Sequence, residues 1–367
     1  MTALTRLLNI GYQAAFPFIN LVDAQLAHAA YIESLRLTDH IGWLADLNTA
    51  IRERTLVQEP VRAGGVDLPH PLMLAAGLIK GDGFEAEGEA LHAARSGTNI
   101  MPGWRSLPAL IGTAEFGSFT RYPRMGNSGR VLWRHAGERS TQNRIGLRNP
   151  GAAAAAEFLS RHHAQLPDVY GINIAISPGV DDPDEQQQHI TRSVGAFTFR
   201  GVQPAWYTLN LSCPNTEDDP SGNQTEAKAR DLCGVMREAV GDTPLWVKIG
   251  PCLSETQYAA LMKSFAEVGV NAVIATNTLP SPTPDGTATA GIGGQTLHQH
   301  ALQAVNYLHA AKVEHGYPID IIGCGGVMDG QTYHAFVDAG AAAVQYYTAT
   351  VYRSPFAAAI IQMEAEQ

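Results

Sequence analysis

Eight short apolar runs follow His70 along the chain, and helix-like segments separate each run from the next. Most are bounded by Gly, Pro or Asn, which is typical of strands that alternate with helices. Eight such units predict an α/β protein with a closed (β/α)8 TIM barrel. An open doubly wound sheet is the alternative, but it would place a glycine-rich fingerprint after its first strand, and Ala-Ala-Gly-Leu at residues 75–78 is not one. The predicted strands are Pro71–Ala76, Glu115–Thr120, Tyr170–Ser177, Trp206–Leu211, Leu245–Ile249, Ala272–Thr276, Asp320–Gly323 and Ala342–Tyr347.

The segments between the later runs are long enough to be crossover helices. Parallel strands need connections of a dozen or more residues, and most of these segments approach or exceed that length. The clearest helical candidates are Glu226–Val240, Glu255–Val268, Gln299–His315 and Gln331–Ala339.

The composition indicates a large folded core and argues against binding to nucleic acids. The 367 residues include 25 Lys+Arg and 35 Asp+Glu, a formal net charge of −10, whereas binding to a phosphate backbone needs clustered cations. With 45% hydrophobic and 16% charged residues, the chain is typical of a compact enzyme or binding protein. Its four cysteines show no paired metal-ligand spacing, so we expect a reduced, cytoplasmic protein without a metal site.

The first 60 residues precede the barrel pattern and are predicted to form a small helical extension, residues 1–60, before a barrel of residues 61–367. Ala24–Leu37 and Ile41–Arg54 read as helices. Two interpretations are open: the helices pack on the barrel, or they lie on a membrane surface. Any membrane contact should be peripheral, at the inner face of the cell membrane, because no run reaches the ~20 apolar residues of a spanning helix.

Polar residues fall where the predicted strands end. Barrel enzymes carry their chemistry at the carboxyl ends of the strands, so this pattern predicts an active site at that rim. One polar residue in an apolar strand is more often a hydrogen-bonded core group, but a set at one rim is not expected by chance. The set comprises Lys80, Ser118, Thr120, Asn173, Asn210, Cys213, Lys248, Thr276, Asn277, Tyr347 and Thr348.

Gly325 and Gly326 follow the seventh predicted strand and precede a helix-like segment. Glycines at such a place let backbone N–H groups approach an anion, and barrels often bind phosphate after strands seven and eight. Tyr347 and Thr348 supply further donors. Glycines that only turn the chain are the alternative. The two lysines of the rim would be costly as buried unpaired cations, so we expect an anionic group such as a phosphorylated cofactor beside them.

The densest polar cluster spans residues 209–216, where Asn210 and Asn215 flank Cys213. Two carboxamides offer paired donors and acceptors to an amide-rich ring, and the thiol can act as a base or a nucleophile. No His or Asp nearby in the sequence suggests a cysteine-protease pair, so we expect Cys213 to act as a general base. An inert buried thiol is the alternative, which suits Cys233, while Cys252 and Cys324 are set aside.

In this loop and in motifs that follow one another along the barrel, the chain resembles the dihydroorotate dehydrogenases, flavin enzymes of pyrimidine biosynthesis. Together the motifs are specific, although each alone is weak. The family is a (β/α)8 barrel with FMN at its carboxyl-terminal mouth, which agrees with the rim predicted from the strand ends. Besides the loop and the two carboxyl-terminal segments, the motifs lie at residues 74–80, 117–127, 143–147, 171–173, 247–249 and 276–278.

The resemblance implies a role for each matching residue. Cys213 would remove the proton at C5 of dihydroorotate while hydride leaves C6 for N5 of the flavin, and Lys80 would lie near both rings. The residues implied to bind dihydroorotate or orotate are Lys80, Asn143, Ile145, Gly146, Leu147, Asn210, Asn215, Asn277 and Thr278. Those implied to bind FMN are Ala76, Gly77, Lys80, Ser118, Asn173, Asn210, Lys248, Thr276, Gly294, Gly325, Gly326, Tyr347 and Thr348.

The acceptor and the base point to different classes within the family. Residues 21–28 resemble the helical extension of the membrane-associated, quinone-reducing class, which ordinarily uses Ser as its base, whereas Cys213 is typical of the soluble class. The segment between Lys80 and Leu107 is also longer than the quinone-reducing class usually has. Trp133 falls where an arginine of the quinone path is expected, subject to a one-residue shift in alignment.

Three hypotheses follow. The leading one is an FMN-dependent dihydroorotate dehydrogenase that passes electrons to a quinone through its N-terminal helices. The second is a soluble-type dihydropyrimidine oxidoreductase with a different acceptor or ring substrate. The third is a catalytically silent flavin-binding barrel that acts through partners.

Overall fold

Helices and strands alternate along the protein in the computed structural model, which describes residues 3–212 and 224–367. The strands are β1 (Val61–Ala63), β2 (Val66–Leu68), β3 (Leu72–Leu74), β4 (Ala114–Phe119), β5 (Leu132–His135), β6 (Ser140–Asn143), β7 (Tyr170–Ala175), β8 (Trp206–Asn210), β9 (Leu245–Ile249), β10 (Ala272–Ala275), β11 (Leu279–Pro282), β12 (Thr289–Gly294), β13 (Asp320–Cys324) and β14 (Ala343–Tyr346). The helices are α1 (Ala3–Leu21), α2 (Ala24–Asp39), α3 (Gly42–Thr55), α4 (Glu87–Arg95), α5 (Ser106–Ile111), α6 (Ala152–Arg161), α7 (Pro183–Phe199), α8 (Glu226–Val240), α9 (Glu255–Glu267), α10 (Gln295–His315), α11 (Gly330–Asp338), α12 (Ala349–Tyr352) and α13 (Ala357–Ala365).

Eight parallel strands close into a barrel in the order β3, β4, β7, β8, β9, β10, β13 and β14. They are the eight predicted strands. Neighbours pair residue for residue, as Gly171–Ala175 of β7 do with Trp206–Asn210 of β8. Strands β4, β7, β8 and β9 are buried along their whole length, because helices cover them outside and side chains fill the barrel inside. The predicted barrel with an N-terminal helical extension is confirmed.

The amino-terminal end of the barrel is closed by the hairpin of β1 and β2. Trp206 and Trp246 stack beneath it with ring centroids 4.4 Å apart, and Trp246 Nε1 donates to Gly64 O at 2.9 Å. Gly64 has φ +55°, and a Cβ there would lie 2.3 Å from Trp246 Nε1. The close approach therefore requires glycine, and side chains fill this end of the barrel.

A second sheet that the sequence analysis missed lies beyond the barrel strands. Its antiparallel order is β11-β12-β6-β5, and its strands come from the connections after β4 and β10. Strand β12 pairs with β6 from Gly291↔Asn143 to Gly294↔Ser140. This pairing joins two loops that are about 150 residues apart in the sequence, and it places Asn143 opposite Gly291 and Gly294 opposite Ser140.

The helices α1 to α3 dock on the barrel rather than standing apart from it. Helix α1 packs against α13 and α3 against α5, and Tyr12 Oη donates to Val351 O at 2.6 Å while Gln13 Nε2 donates to Tyr352 O at 2.9 Å. Of the two interpretations of the extension, packing on the barrel is therefore observed for α1 and α3. Contact with a membrane surface stays a prediction. Within the described part of the chain, no helix is both long and apolar enough to cross a membrane.

A buried carboxylate fastens the end of α2. Asp39, only 4% exposed, accepts hydrogen bonds from Asn99 Nδ2 (2.8 Å), Gly103 N (2.7 Å), Arg105 N (3.3 Å), and Ser106 N and Oγ (2.9 and 2.7 Å). Hydrogen bonds to a charged group contribute about 1.5–3 kcal/mol each. These partners all lie in the long segment after the first barrel strand, so that segment anchors the helical extension.

Candidate active site

One large cavity opens at the carboxyl-terminal end of the barrel, with a volume of about 490 Å³. It is bounded by strand ends on one side and by α1, α2 and β5 on the other. Every described residue that the sequence analysis assigns to substrate or cofactor lines this cavity, except Asn173. The lining members of that set are Ala76, Gly77, Lys80, Ser118, Asn143, Ile145, Gly146, Leu147, Asn210, Lys248, Thr276, Asn277, Thr278, Gly294, Gly325, Gly326, Tyr347 and Thr348.

Asn173 lies behind the cavity wall, fully buried in β7. Its Nδ2 donates to Glu115 Oε1 at 3.4 Å, whereas its Oδ1 has no hydrogen-bond partner among the described residues. Thr120 is also buried and pairs with Asn149, whose Nδ2 donates to Thr120 Oγ1 at 2.9 Å, so its role is structural. Cys213 and Asn215 lie outside the described residues.

The asparagines at the ends of β8 and β10 form a joined cluster. Asn277 Nδ2 donates to Asn210 Oδ1 at 3.2 Å and lies in close contact with Ser212 O. Asn210 Nδ2 in turn donates to Ser118 Oγ at 3.2 Å. This network fixes the carboxamides against the cavity at the point where the chain enters residue 213. In the sequence, the predicted base, Cys213, follows Asn210 by three residues.

The predicted phosphate loop has a backbone that only glycine adopts readily. Gly325 and Gly326 have φ +138° and +71°, and a Cβ on Gly326 would lie 2.6 Å from Gly294 O. Thr348 Oγ1 lies 3.0 Å from Thr141 Oγ1 at the same corner. The loop therefore exposes backbone to the cavity with no side chain between them.

The helix after these glycines, α11, spans Gly330–Asp338, one residue earlier at each end than the predicted Gln331–Ala339. Helix α11 starts at Gly330, and Asp329 caps it by accepting from Thr332 N at 3.0 Å. Its first turn already has an acidic partner, so the N-terminus of α11 does not serve as the anion site. The donors for an anion at this corner are therefore the backbone of the glycine loop and its neighbours rather than the end of α11.

Lys248 belongs to a polar chain inside the barrel that the sequence analysis did not detect. Its Nζ donates to Gln345 Oε1 at 3.2 Å and lies 3.5 Å from Cys324 Sγ. Gln345 Nε2 donates to Glu115 Oε2 at 2.9 Å. In the sequence, the only sign of these contacts was an acid, Glu115, and an amide, Gln345, inside runs that otherwise read as buried strands. Cys324, which we had set aside, lines the cavity beside Lys248.

The far side of the cavity is formed by the helical extension and β5. Tyr12, His28 and Tyr31 line it, and Tyr31 Oη is buried without a partner among the described residues. Burial, together with the positive charges of Lys80 and Arg148, lowers the pKa of His28 to about 4. His28 is therefore neutral at physiological pH.

Both Trp133 and Arg134 line this side, so the one-residue ambiguity in alignment does not remove an arginine from it. Arg134 Nη1 donates to Ile19 O at 3.2 Å and Val22 O at 3.3 Å. A cation at the carboxyl end of α1 is favourable because the last carbonyls of a helix lack partners. Arg134 thus ties α1 to the sheet over the mouth.

Comparison with known proteins agrees with this geometry. The profile of the family described as dihydroorotate dehydrogenase matches residues 60–367. The dihydroorotate dehydrogenase (quinone) of Salinispora arenicola is 31% identical over 343 residues, or 91% of each chain. That of Leifsonia xyli subsp. xyli is 30% identical over 344 residues, 91% of this chain and 92% of the relative.

A solved structure gives the same fold. Dihydroorotate dehydrogenase of Eimeria tenella in complex with ferulenol matches with a TM-score of 0.73 and 22% identity, over 94% of this chain and 90% of that one. At this identity the likeness concerns the fold alone. The family profile, in contrast, spans the whole barrel with its cavity, and the chain therefore belongs to the dihydroorotate dehydrogenase family.

Proposed function

We propose that this protein oxidises dihydroorotate to orotate with bound FMN and passes the electrons to a quinone. The observation that carries the proposal is the single cavity that gathers the described residues implied to bind ring and flavin. The family is flavin-dependent, and the two curated relatives named above are described as quinone enzymes. The division at residue 60 stays a prediction, although α3 ends at Thr55 and β1 begins at Val61.

The described residues fit FMN. The glycine loop at Gly325 and Gly326 presents backbone to the cavity, and we assign it the phosphate together with Tyr347 and Thr348. Lys248 lines the cavity as a cation, and the buried Oδ1 of Asn173 lacks a partner among the described residues. We assign the rest of the cofactor to a set of strand-end residues, namely Ala76, Gly77, Lys80, Ser118, Asn173, Asn210, Lys248, Thr276 and Gly294.

The substrate ring is assigned to the asparagine cluster. Asn143, Asn210 and Asn277 line the cavity and offer both donors and acceptors to a ring rich in amide groups. Asn215 is assigned to the same ring by its place in the motif. Ile145, Gly146, Leu147 and Thr278 complete this wall, and Lys80 supplies positive charge for the substrate carboxylate.

The chemistry needs a base on one side of the substrate and a hydride acceptor on the other. When bound, FMN would supply the acceptor for the hydride that leaves C6. Cys213 is proposed to take the proton from C5, so that a C5–C6 double bond forms. A free thiol titrates near ~8.5, far closer to neutrality than a serine hydroxyl. We assign the asparagine network the role of holding and orienting the ring for this proton transfer.

The helical side of the cavity is proposed as the path of the quinone. Its wall is largely apolar, and large apolar side chains are exposed on the extension itself. The most exposed of these side chains are Leu7 (66% exposed), Ile10 (65%), Phe18 (73%), Leu21 (84%), Leu26 (67%), Leu37 (67%) and Trp43 (66%). They lie on α1, α2 and α3, of which α3 contacts the other two, and exposed apolar side chains in such a group are typical of an interaction surface. We therefore propose that the extension contacts a membrane peripherally and admits the quinone from it.

A visible absorption spectrum of the purified protein under anaerobic conditions tests the proposal. The spectrum should show a flavin, which dihydroorotate bleaches and a ubiquinone or menaquinone analogue restores. Fumarate and NAD should not restore it. A flavin that stays oxidised after addition of dihydroorotate would contradict the proposed substrate and favour the catalytically silent barrel. Reoxidation of the flavin by fumarate or NAD alone would contradict the quinone as acceptor and favour the soluble-type alternative.

A further inference from the structure

Two buried charges face each other across the interior of the barrel with one amide between them. Glu115 on β4 is fully buried, Lys248 on β9 is 6% exposed, and Gln345 on β14 is fully buried between them. Burying a carboxylate and an ammonium in this way is costly unless each finds partners. The three side chains come from three separate strands, so only the closed barrel brings them together.

The amide has one orientation that satisfies both neighbours. A carboxylate only accepts hydrogen bonds and an ammonium only donates them. Gln345 Nε2 donates to Glu115 Oε2 at 2.9 Å, and Gln345 Oε1 accepts from Lys248 Nζ at 3.2 Å. Turning the amide over would place donor against donor and acceptor against acceptor. The carboxylate of Glu115 thus determines which atom Gln345 presents to Lys248.

Lys248 links the hydrogen bonds between Glu115 and Gln345 to the cavity. Its Nζ contacts Gln345 and Cys324 among the described residues, and an ammonium has three N–H donors. Lys248 itself lines the cavity, whereas Glu115 does not. One donor therefore stays available for a ligand, and its direction depends on the contacts behind it.

We propose that Glu115, acting through Gln345, is a positioning residue that sets the position and the effective charge of Lys248 toward the flavin. The inference rests on the proposed function, since it assumes that FMN occupies the cavity. Two-electron reduction with uptake of one proton adds a negative charge to the flavin, which the charge of Lys248 favours and that of Glu115 opposes. The pair should therefore set the reduction potential.

Glu115→Gln tests this inference through the midpoint potential of bound FMN, measured by anaerobic titration against a reference dye without substrate. Loss of one buried negative charge should favour reduction at least tenfold, which raises the potential by about 30 mV for a two-electron couple. Glu157→Gln is the matched control. Glu157 accepts from Arg161 Nε at 3.0 Å and Arg200 Nε at 3.2 Å on the outer helices, and its loss should leave the potential unchanged.

The exchange variant Glu115→Gln/Gln345→Glu separates positioning from stability. It keeps one carboxylate and one amide but moves the negative charge next to Lys248, so the potential should return to the wild-type value or fall below it. If Glu115→Gln alone does not fold, a potential above the wild-type value in the exchange variant would overturn the inference. If Glu115 contributed only to stability, the midpoint potential would change in the same direction in both variants. Equal potentials in the wild type and in both variants would overturn the inference. A wild-type protein without FMN would instead overturn the proposed function.

Discussion

The two sides of the cavity are built from different material. On the barrel side, strand ends supply amides, glycines and the cation of Lys248, joined by hydrogen bonds across several strands. On the helical side, α1 and α2 supply an apolar wall where His28 is neutral and Tyr31 Oη has no partner among the described residues. The proposed function uses this difference, with ring and phosphate assigned to the barrel side and the apolar electron acceptor to the helical side.

The largest effect should come from the barrel side. Cys213→Ala should keep FMN but slow its reduction by dihydroorotate, since a positioned base contributes about 10²–10⁴-fold. Anaerobic stopped-flow absorbance measures the rate. Cys252→Ala is the control, because that thiol is exposed. Near-normal reduction in the Cys213 variant would remove this thiol from the mechanism.

The next effect should separate the two sides. Asp39→Ala leaves several buried donors without their acceptor, and we expect a loss of about 3 kcal/mol in the free energy of unfolding. Because the lost contacts anchor α2, quinone turnover should fall while the flavin is still reduced by dihydroorotate. Steady-state and single-turnover assays measure the two rates. Asp46→Ala, at an exposed position on α3, should change neither of the two rates. Equal losses of quinone turnover and of flavin reduction in Asp39→Ala would show that the two sides of the cavity are not separable.

A smaller effect is expected within the barrel side. Asn277→Ala should weaken orotate binding by about 1–3 kcal/mol, because polar groups of the ring or of Asn210 lose their partner. Titration of the flavin spectrum with orotate measures this affinity. Asn306→Ala, at an exposed position on α10, is the control. An unchanged affinity for orotate in the Asn277 variant would count against the assigned ring site.

The smallest effect concerns a buried histidine at the other end of the barrel. Burial and the charge of Arg52 lower the pKa of His70 to about 4, below its value of about 6.5 in an unfolded chain. Between these values the unfolded state binds more protons, so stability is full above about pH 6.5 and declines as the pH falls toward 4. The loss at pH 5.5 should be about 1 kcal/mol.

Urea unfolding as a function of pH measures this dependence. His70→Met should flatten it over the same interval, whereas His315→Met, at an exposed position, should not. An equally steep dependence in the His70 variant would assign the acid sensitivity to other groups, such as the buried His28.

The barrel side was predictable from the sequence because its signals are local. Most strands are apolar runs bounded by Gly, Pro or Asn, and most functional residues lie at or just after the end of such a run. Glu115 and Gln345 were missed because a polar residue inside a strand carries no sign of which other strand holds its partner. Their meeting depends on closure of the barrel.

The helical side was less predictable for the same reason. Helix α1 contains Pro17 and several polar residues, and the sequence analysis named no individual helix there, yet Tyr12 and Gln13 bind backbone carbonyls 339 residues away. The sheet over the mouth likewise joins β6 to β12 across about 150 residues. Short strands within long connections give no local pattern, so only the folded barrel reveals them.

These long-range contacts of α1 also bear on the order in which the protein is made. Tyr12 and Gln13 leave the ribosome well before Val351 and Tyr352, the residues whose carbonyls they bind. At about 5–20 residues per second, the delay is some tens of seconds. During that time the apolar face of α1 has no finished barrel to pack against, so α1 docks only after the carboxyl-terminal segment that carries its acceptors has been made.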